Sequence, residues 1–236
     1  MDFNISSKPE RKIMTGDEHF TFYGMPINKL FSDFVMWYSS DLLDISIRGP
    51  LAEFIVAQAL EIDFTEARSD NQGFDLRYKG NCLEIKSSAY LQSWEQTHPS
   101  NISFSIKKAI EKEGWFYADD ERSPDIKRHS IAYVFCLYKY RDKPTANPLI
   151  LDHWDFYILP TSEIDKKCGD QKNLSLNKLL ELNPVKCEFD GIKDAIDSII
   201  NSITTKDKNN WKRQVLPCRE CEKKSVKKNP SMIEYK

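Results

Sequence analysis

Two alternating segments joined by Lys79-Gly80-Asn81 leave this part of the chain little choice of local structure. Across residues 73–78, Phe74, Leu76 and Tyr78 fall on one side and Asp75 and Arg77 on the other. After the turn, Leu83 and Ile85 oppose Glu84 and Lys86. A period of two marks a strand with one dry and one polar face, and the glycine supplies the left-handed backbone that a tight hairpin needs. A two-residue turn at either Lys79-Gly80 or Gly80-Asn81 sets Asp75 opposite Glu84 or Lys86, and directly opposed residues share a face. A three-residue loop would set Asp75 against Ile85 and place an acid among apolar side chains, so the pattern argues against it. Either two-residue register gathers Asp75, Glu84 and Lys86.

Two carboxylates and a lysine gathered this way carry the charges needed to hold a divalent cation, bind a phosphodiester and orient an attacking water. The plain alternative is a cross-strand charge cluster of little energetic consequence. An acid, a variable hairpin and then acid-x-lysine, here Asp75 followed by Glu84-Ile85-Lys86, resembles the PD-(D/E)XK superfamily, the restriction-endonuclease-like nucleases. That superfamily commonly carries a glutamate on the helix before the hairpin. The segment from Arg48 to Leu60, opened by Gly49-Pro50 and apolar along most of its length, looks like that helix, and Glu53 is the matching residue. Phe74 stands where the literal motif has proline. The resemblance covers roughly residues 45 to 165 and implies an α/β fold, a restriction-endonuclease-like core with a central mixed β-sheet flanked by helices. Ile102–Ile106, Ser130–Tyr140 and Trp154–Leu159 are β-branched or aromatic enough to complete that sheet. Pro160-Thr161-Ser162-Glu163 offers a helix start.

The resemblance further implies a Mg²⁺-dependent DNA endonuclease of the restriction or phage-defence kind, with Mn²⁺ able to substitute. Asp75, Glu84 and the Ile85 carbonyl would hold the ion through hard oxygen ligands. Lys86 would orient the attacking water and offset charge on phosphorus, and Glu53 would bind a metal-coordinated water or a second ion. Ser88, Tyr90 and Gln92 alternate onto the Lys86 face and are expected beside the phosphate path. Two other readings stand beside this one: a catalytically silent nuclease-like module that binds nucleic acid or protein, and an interaction protein whose motif is accidental. Cutting both strands of a duplex commonly needs two active sites, which makes a homodimer an expectation.

The 236 residues, 40% of them hydrophobic, suffice for one good core. We expect one nuclease-like domain over residues 1–205, with an N-terminal helical extension, and a basic tail over 206–236. The net charge of -2 does not advertise nucleic-acid binding, but the tail carries ten Lys/Arg against four Asp/Glu. Trp211, Lys212 and Arg213 in it are suited to stacking on a base and gripping a phosphate backbone. Cys218-x-x-Cys221 has the spacing of half a zinc site, and Cys168 and Cys187 are the candidates for the other half. With neither a secretory leader nor a membrane-spanning apolar run in the sequence, the expected compartment is the cytoplasm, with the six cysteines mainly reduced. The stretch from Ile27 to Leu43 spaces its aromatic residues as a packing helix would, and Asp190–Ile203 reads as an amphipathic helix with an isoleucine face.

Overall fold

A computed structural model describes residues 12–65, 67–68, 74–112, 115–118 and 126–206. The elements run β1 (His19–Phe22), β2 (Met25–Leu30), α1 (Phe31–Ser39), α2 (Ile45–Ala59), β3 (Leu76–Tyr78), β4 (Asn81–Ala89), β5 (Ser103–Ser105), β6 (Ala109–Lys112), β7 (Trp115–Ala118), β8 (Ala132–Tyr138), β9 (Trp154–Pro160), α3 (Thr161–Cys168), β10 (Asn173–Ser175), α4 (Leu176–Glu181), β11 (Val185–Cys187) and α5 (Ile192–Lys206).

The centre is a five-stranded mixed sheet in the order β11-β9-β8-β4-β3, flanked by helices. Only the β4–β8 pair is parallel; the other three pairs are antiparallel. All seven residues of β8 are buried, as a strand covered on both faces requires. On one face Tyr133, Phe135 and Leu137 of β8 join Tyr157 and Leu159 of β9, with Ile164 of α3 and Leu179 of α4 packed over them. Helix α2 lies against β4 and buries Ala52, Ile55 and Val56.

Several elements depart from the sequence-based expectation. Ile102–Ile106 supplies only the short β5, which pairs antiparallel with β10 in a separate two-stranded sheet instead of joining the central one. Its Phe104 points into the main core, which explains the strand-like pattern. The fifth central strand is β11, whose three residues are too few to show a strand pattern. Helix α2 starts at Ile45, with Asp44 as its cap: the Asp44 carboxylate accepts from Ser46 N at 2.8 Å. Pro50 therefore lies inside the helix, not at its opening. The stretch 27–43 is not one packing helix: Ile27–Leu30 belong to β2, and α1 has no buried residue. Among the described residues, the N-terminal extension holds a hairpin followed by one short helix.

A single cation ties the chain behind the sheet. Arg128 has a fully buried side chain. Its Nε donates to the Ile106 carbonyl at 2.8 Å, Nη1 to Asp165 at 2.5 Å, and Nη2 to the Gly169 and Gln171 carbonyls at 3.0 and 3.2 Å. By internal contacts the chain divides into residues 1–197 and 198–236, a boundary inside α5. In the second unit the described part is the end of that helix, where Ser202 Oγ donates to the Ile199 carbonyl at 2.8 Å.

Candidate functional site

The hairpin sets the site. Lys79 and Gly80 both have positive φ, +49° and +78°, the conformation of a type I′ turn, whose twist suits the flanking strands. Tyr78 therefore pairs with Asn81 and Leu76 with Leu83, the first of the two registers expected. Asp75 N donates to the Leu83 carbonyl at 3.0 Å, a one-residue shift from this register because Leu83 already pairs with Leu76, so the regular pairing stops at Leu76 and does not itself set Asp75 directly opposite Glu84. Beyond that point the ladder changes character: the next rung is made by a side chain, with Ile85 N donating to Asp75 Oδ2 at 2.7 Å.

Glu84 and Lys86 are two residues apart on β4 and share a face. Lys86 Nζ forms an ion pair with Glu84 Oε1 and lies 3.6 Å from Asp75 Oδ2. The three side chains are between 18% and 25% exposed, low enough to strengthen their mutual electrostatics and open enough for a ligand to reach them. Burial pushes Glu84 up to about 7, with the nearby Asp75 charge acting in the same direction and the Lys86 ammonium opposing. Lys86 is itself held above its ordinary value: burial disfavours the ammonium, but the Glu84 and Asp75 charges and hydrogen bonds outweigh it. One lysine thus serves two acids.

Glu53, on α2, belongs to the same electrostatic cluster. Burial raises its pKa, and the charges of Asp75 and Lys86 act on it in opposite directions. Its direct partner is Arg68, which grips both carboxylate oxygens at 2.6 Å. The structure thus brings Asp75, Glu84, Ile85, Lys86 and Glu53 into one neighbourhood, with Glu53 engaged by a guanidinium that sequence reasoning did not single out. Ser130, just before β8, was also missed; its hydroxyl donates to Glu84 Oε2 at 3.3 Å. Neither partner had a local signal, since Arg68 lies 15 residues from Glu53 and Ser130 lies 46 from Glu84.

The residues beyond Lys86 separate. Ser88 continues the Lys86 face and is buried, but β4 ends at Ala89. Tyr90 packs at the edge of the core with the Arg141 guanidinium 4.0 Å from its ring centre. Gln92 is buried, its Oε1 accepting from Arg48 at 3.1 Å and its Nε2 donating to the Ala89 carbonyl at 2.9 Å. These bonds fasten the start of α2 to the segment after β4. Trp211, Lys212, Arg213, Cys218 and Cys221 lie outside the described residues. Cys168 is a buried free thiol and Cys187 a half-buried one.

Asp75 and Glu84 offer hard oxygen donors of the kind magnesium takes, commonly one or two carboxylates with waters completing the shell. Glu84 is pushed up mainly by burial, with the Asp75 charge adding to it, and a cation bound between the two carboxylates would offset both effects. Among the described residues, no three His, Cys, Asp or Glu side chains gather as a ready-made metal cluster. No helix among them is long and apolar enough to cross a membrane. No family model, curated protein or solved structure matches the chain.

Proposed function

We propose that the protein is a Mg²⁺-dependent endonuclease that hydrolyses DNA phosphodiester bonds, on a restriction-endonuclease-like version of its mixed sheet. The observation that carries this reading is the convergence of Asp75, Glu84 and Lys86 on one partly open face, with Glu53 beside them. The motif spacing, the parallel β4–β8 pair at the centre of the sheet and the glutamate-bearing helix against β4 support it.

Asp75, Glu84 and the Ile85 carbonyl are the residues that would hold the ion. When bound, magnesium supplies Lewis-acid polarisation of the phosphate and a more acidic water. The chain's own residues do the rest. Glu84 ionises near pH 7 and is available as a carboxylate above it. Lys86, already poised between two carboxylates, donates toward a phosphate oxygen and balances the negative charge that grows there. The Ile85 amide holds Asp75 in place through its bond to Oδ2. Ser130 orients Glu84 from the segment just before β8, and Arg68 opposes the rise that burial imposes on the Glu53 carboxyl.

The test is cleavage of supercoiled plasmid, linear duplex, single-stranded DNA and RNA with Mg²⁺, Mn²⁺ or EDTA. The wild-type protein is expected to nick or linearise plasmid only with metal, and Lys86→Ala to lose about 10²–10³-fold in rate, the usual cost of removing one such donor. Metal binding without cleavage of any substrate would replace this reading with the silent binding module. Absence of metal binding by a folded protein would remove it altogether.

A further inference from the structure

We propose that the N-terminal hairpin and helix, residues 12–44, form the interface through which two copies of this chain associate. The proposal does not depend on the nuclease reading. The module is well ordered by its own contacts. Phe31 N donates to the Glu18 carbonyl at 2.8 Å and Ser32 N to the Gly16 carbonyl at 3.0 Å, while Asp33 accepts from Leu30 N at 2.8 Å to begin α1. Phe34 stacks on Tyr38 with ring centres 5.8 Å apart. Yet no residue from 12 to 47 is buried. A lone two-stranded hairpin is marginal in water, and so is a helix as short as α1, unless an apolar face is covered.

The uncovered surface is large and apolar. Ten bulky side chains between Phe20 and Tyr38 are 39% to 91% exposed, Trp37 at 77% and Tyr23 at 91% among them. At roughly 150–250 Å² for a whole aromatic side chain, this exposure is on the order of 1,000 Å², against about 800 Å² per partner in a specific interface. An open groove of about 420 Å³ between hairpin and helix is lined by Phe20, Ile27, Lys29, Asp33, Phe34 and Trp37.

Charge selects the occupant. Residues 12–44 hold two lysines against five acids, which disfavours a nucleic acid or an anionic membrane on this face. Within the groove, Lys29 near the end of β2 and Asp33 in the first turn of α1 pair at 3.9 Å. These are the two charged residues of the lining and they neutralise each other, so two copies can meet at this apolar groove about a two-fold axis, the commonest arrangement of identical chains, without burying an unpaired charge. A second copy therefore satisfies both the area and the charge.

The experiment is sedimentation equilibrium of the full chain at micromolar concentration, for the wild type and for Trp37→Glu and Phe22→Glu. Both residues are exposed, so the variants keep their fold, which circular dichroism verifies. The wild type is expected at twice the 27.5 kDa chain mass and both variants at the single-chain mass. A monomeric wild type would overturn the proposal and assign the patch to another segment of the chain or a different partner. A dimer untouched by both substitutions would overturn it as well, since the contact would then lie elsewhere.

Discussion

Asp75, Glu84 and Lys86 form a half-buried cluster in which one ammonium faces two carboxylates, and burial, aided by the Asp75 charge, outweighs that ammonium at Glu84. Its carboxyl is raised from 4.5 to about 7, so between those values the folded protein keeps a proton that the unfolded chain releases. Stability from this group is therefore present at low pH and falls as pH rises through the window. A divalent cation that needs the carboxylate reverses that preference. Calorimetric titration with Mg²⁺ at pH 6, in buffers of different ionisation enthalpy, is expected to show release of about one proton per ion, and nearly none at pH 8.5. In Glu84→Gln this pH dependence should vanish. The cluster was legible from the sequence because all three residues sit within one hairpin, where period-two alternation and a two-residue turn determine which side chains meet. Arg68 and Ser130 were not legible. Their bonds to Glu53 and Glu84 exist only once α2, the loop after it and β8 have assembled, and no spacing rule connects them beforehand.

At the scale of elements, the turn at Lys79-Gly80 does the positioning. A Cβ at Gly80 would meet no atom within 4 Å, so the cost of Gly80→Ala is that of holding alanine at φ +78°. That is about 1–2 kcal/mol, and urea denaturation should show a lower midpoint with an unchanged slope. The same turn chemistry explains a failure of the sequence reading nearer the N-terminus. Tyr23 and Gly24 also have positive φ, +49° and +76°, and fold β1 onto β2 with Phe22 opposite Met25. Tyrosine-glycine between apolar residues carried the hairpin signal. The helical spacing of the aromatics that follow masked it, and Ile27–Leu30 were assigned to a helix. Strands β8 and β9 were legible because both faces are buried and their residues are almost all apolar. Strand β11 was not, because an edge strand of three residues needs no such composition.

For the molecule as a whole, the main core is the layer between the sheet and the segments β5, α3, β10 and α4, and Arg128 closes it from behind. Arg128→Met preserves volume but strands buried carbonyls and leaves Asp165 without its cation. The expected loss is about 3 kcal/mol or more, seen as a lower midpoint in thermal or urea unfolding. Should the proposed cleavage be observed, protein of this variant that remains folded is expected to keep most of it, because the hydrogen bonds of Arg128 go to Ile106, Asp165, Gly169 and Gln171 and not to the acidic cluster. What this residue joins is distant along the chain: its partners lie 22 to 43 residues away. It closes loops of the length a disulfide would close, while Cys82, Cys136, Cys168 and Cys187 stay free thiols. A staple made of a guanidinium has no reduction potential, so the tie behind the sheet is as secure in a strongly reducing milieu as in an oxidising one.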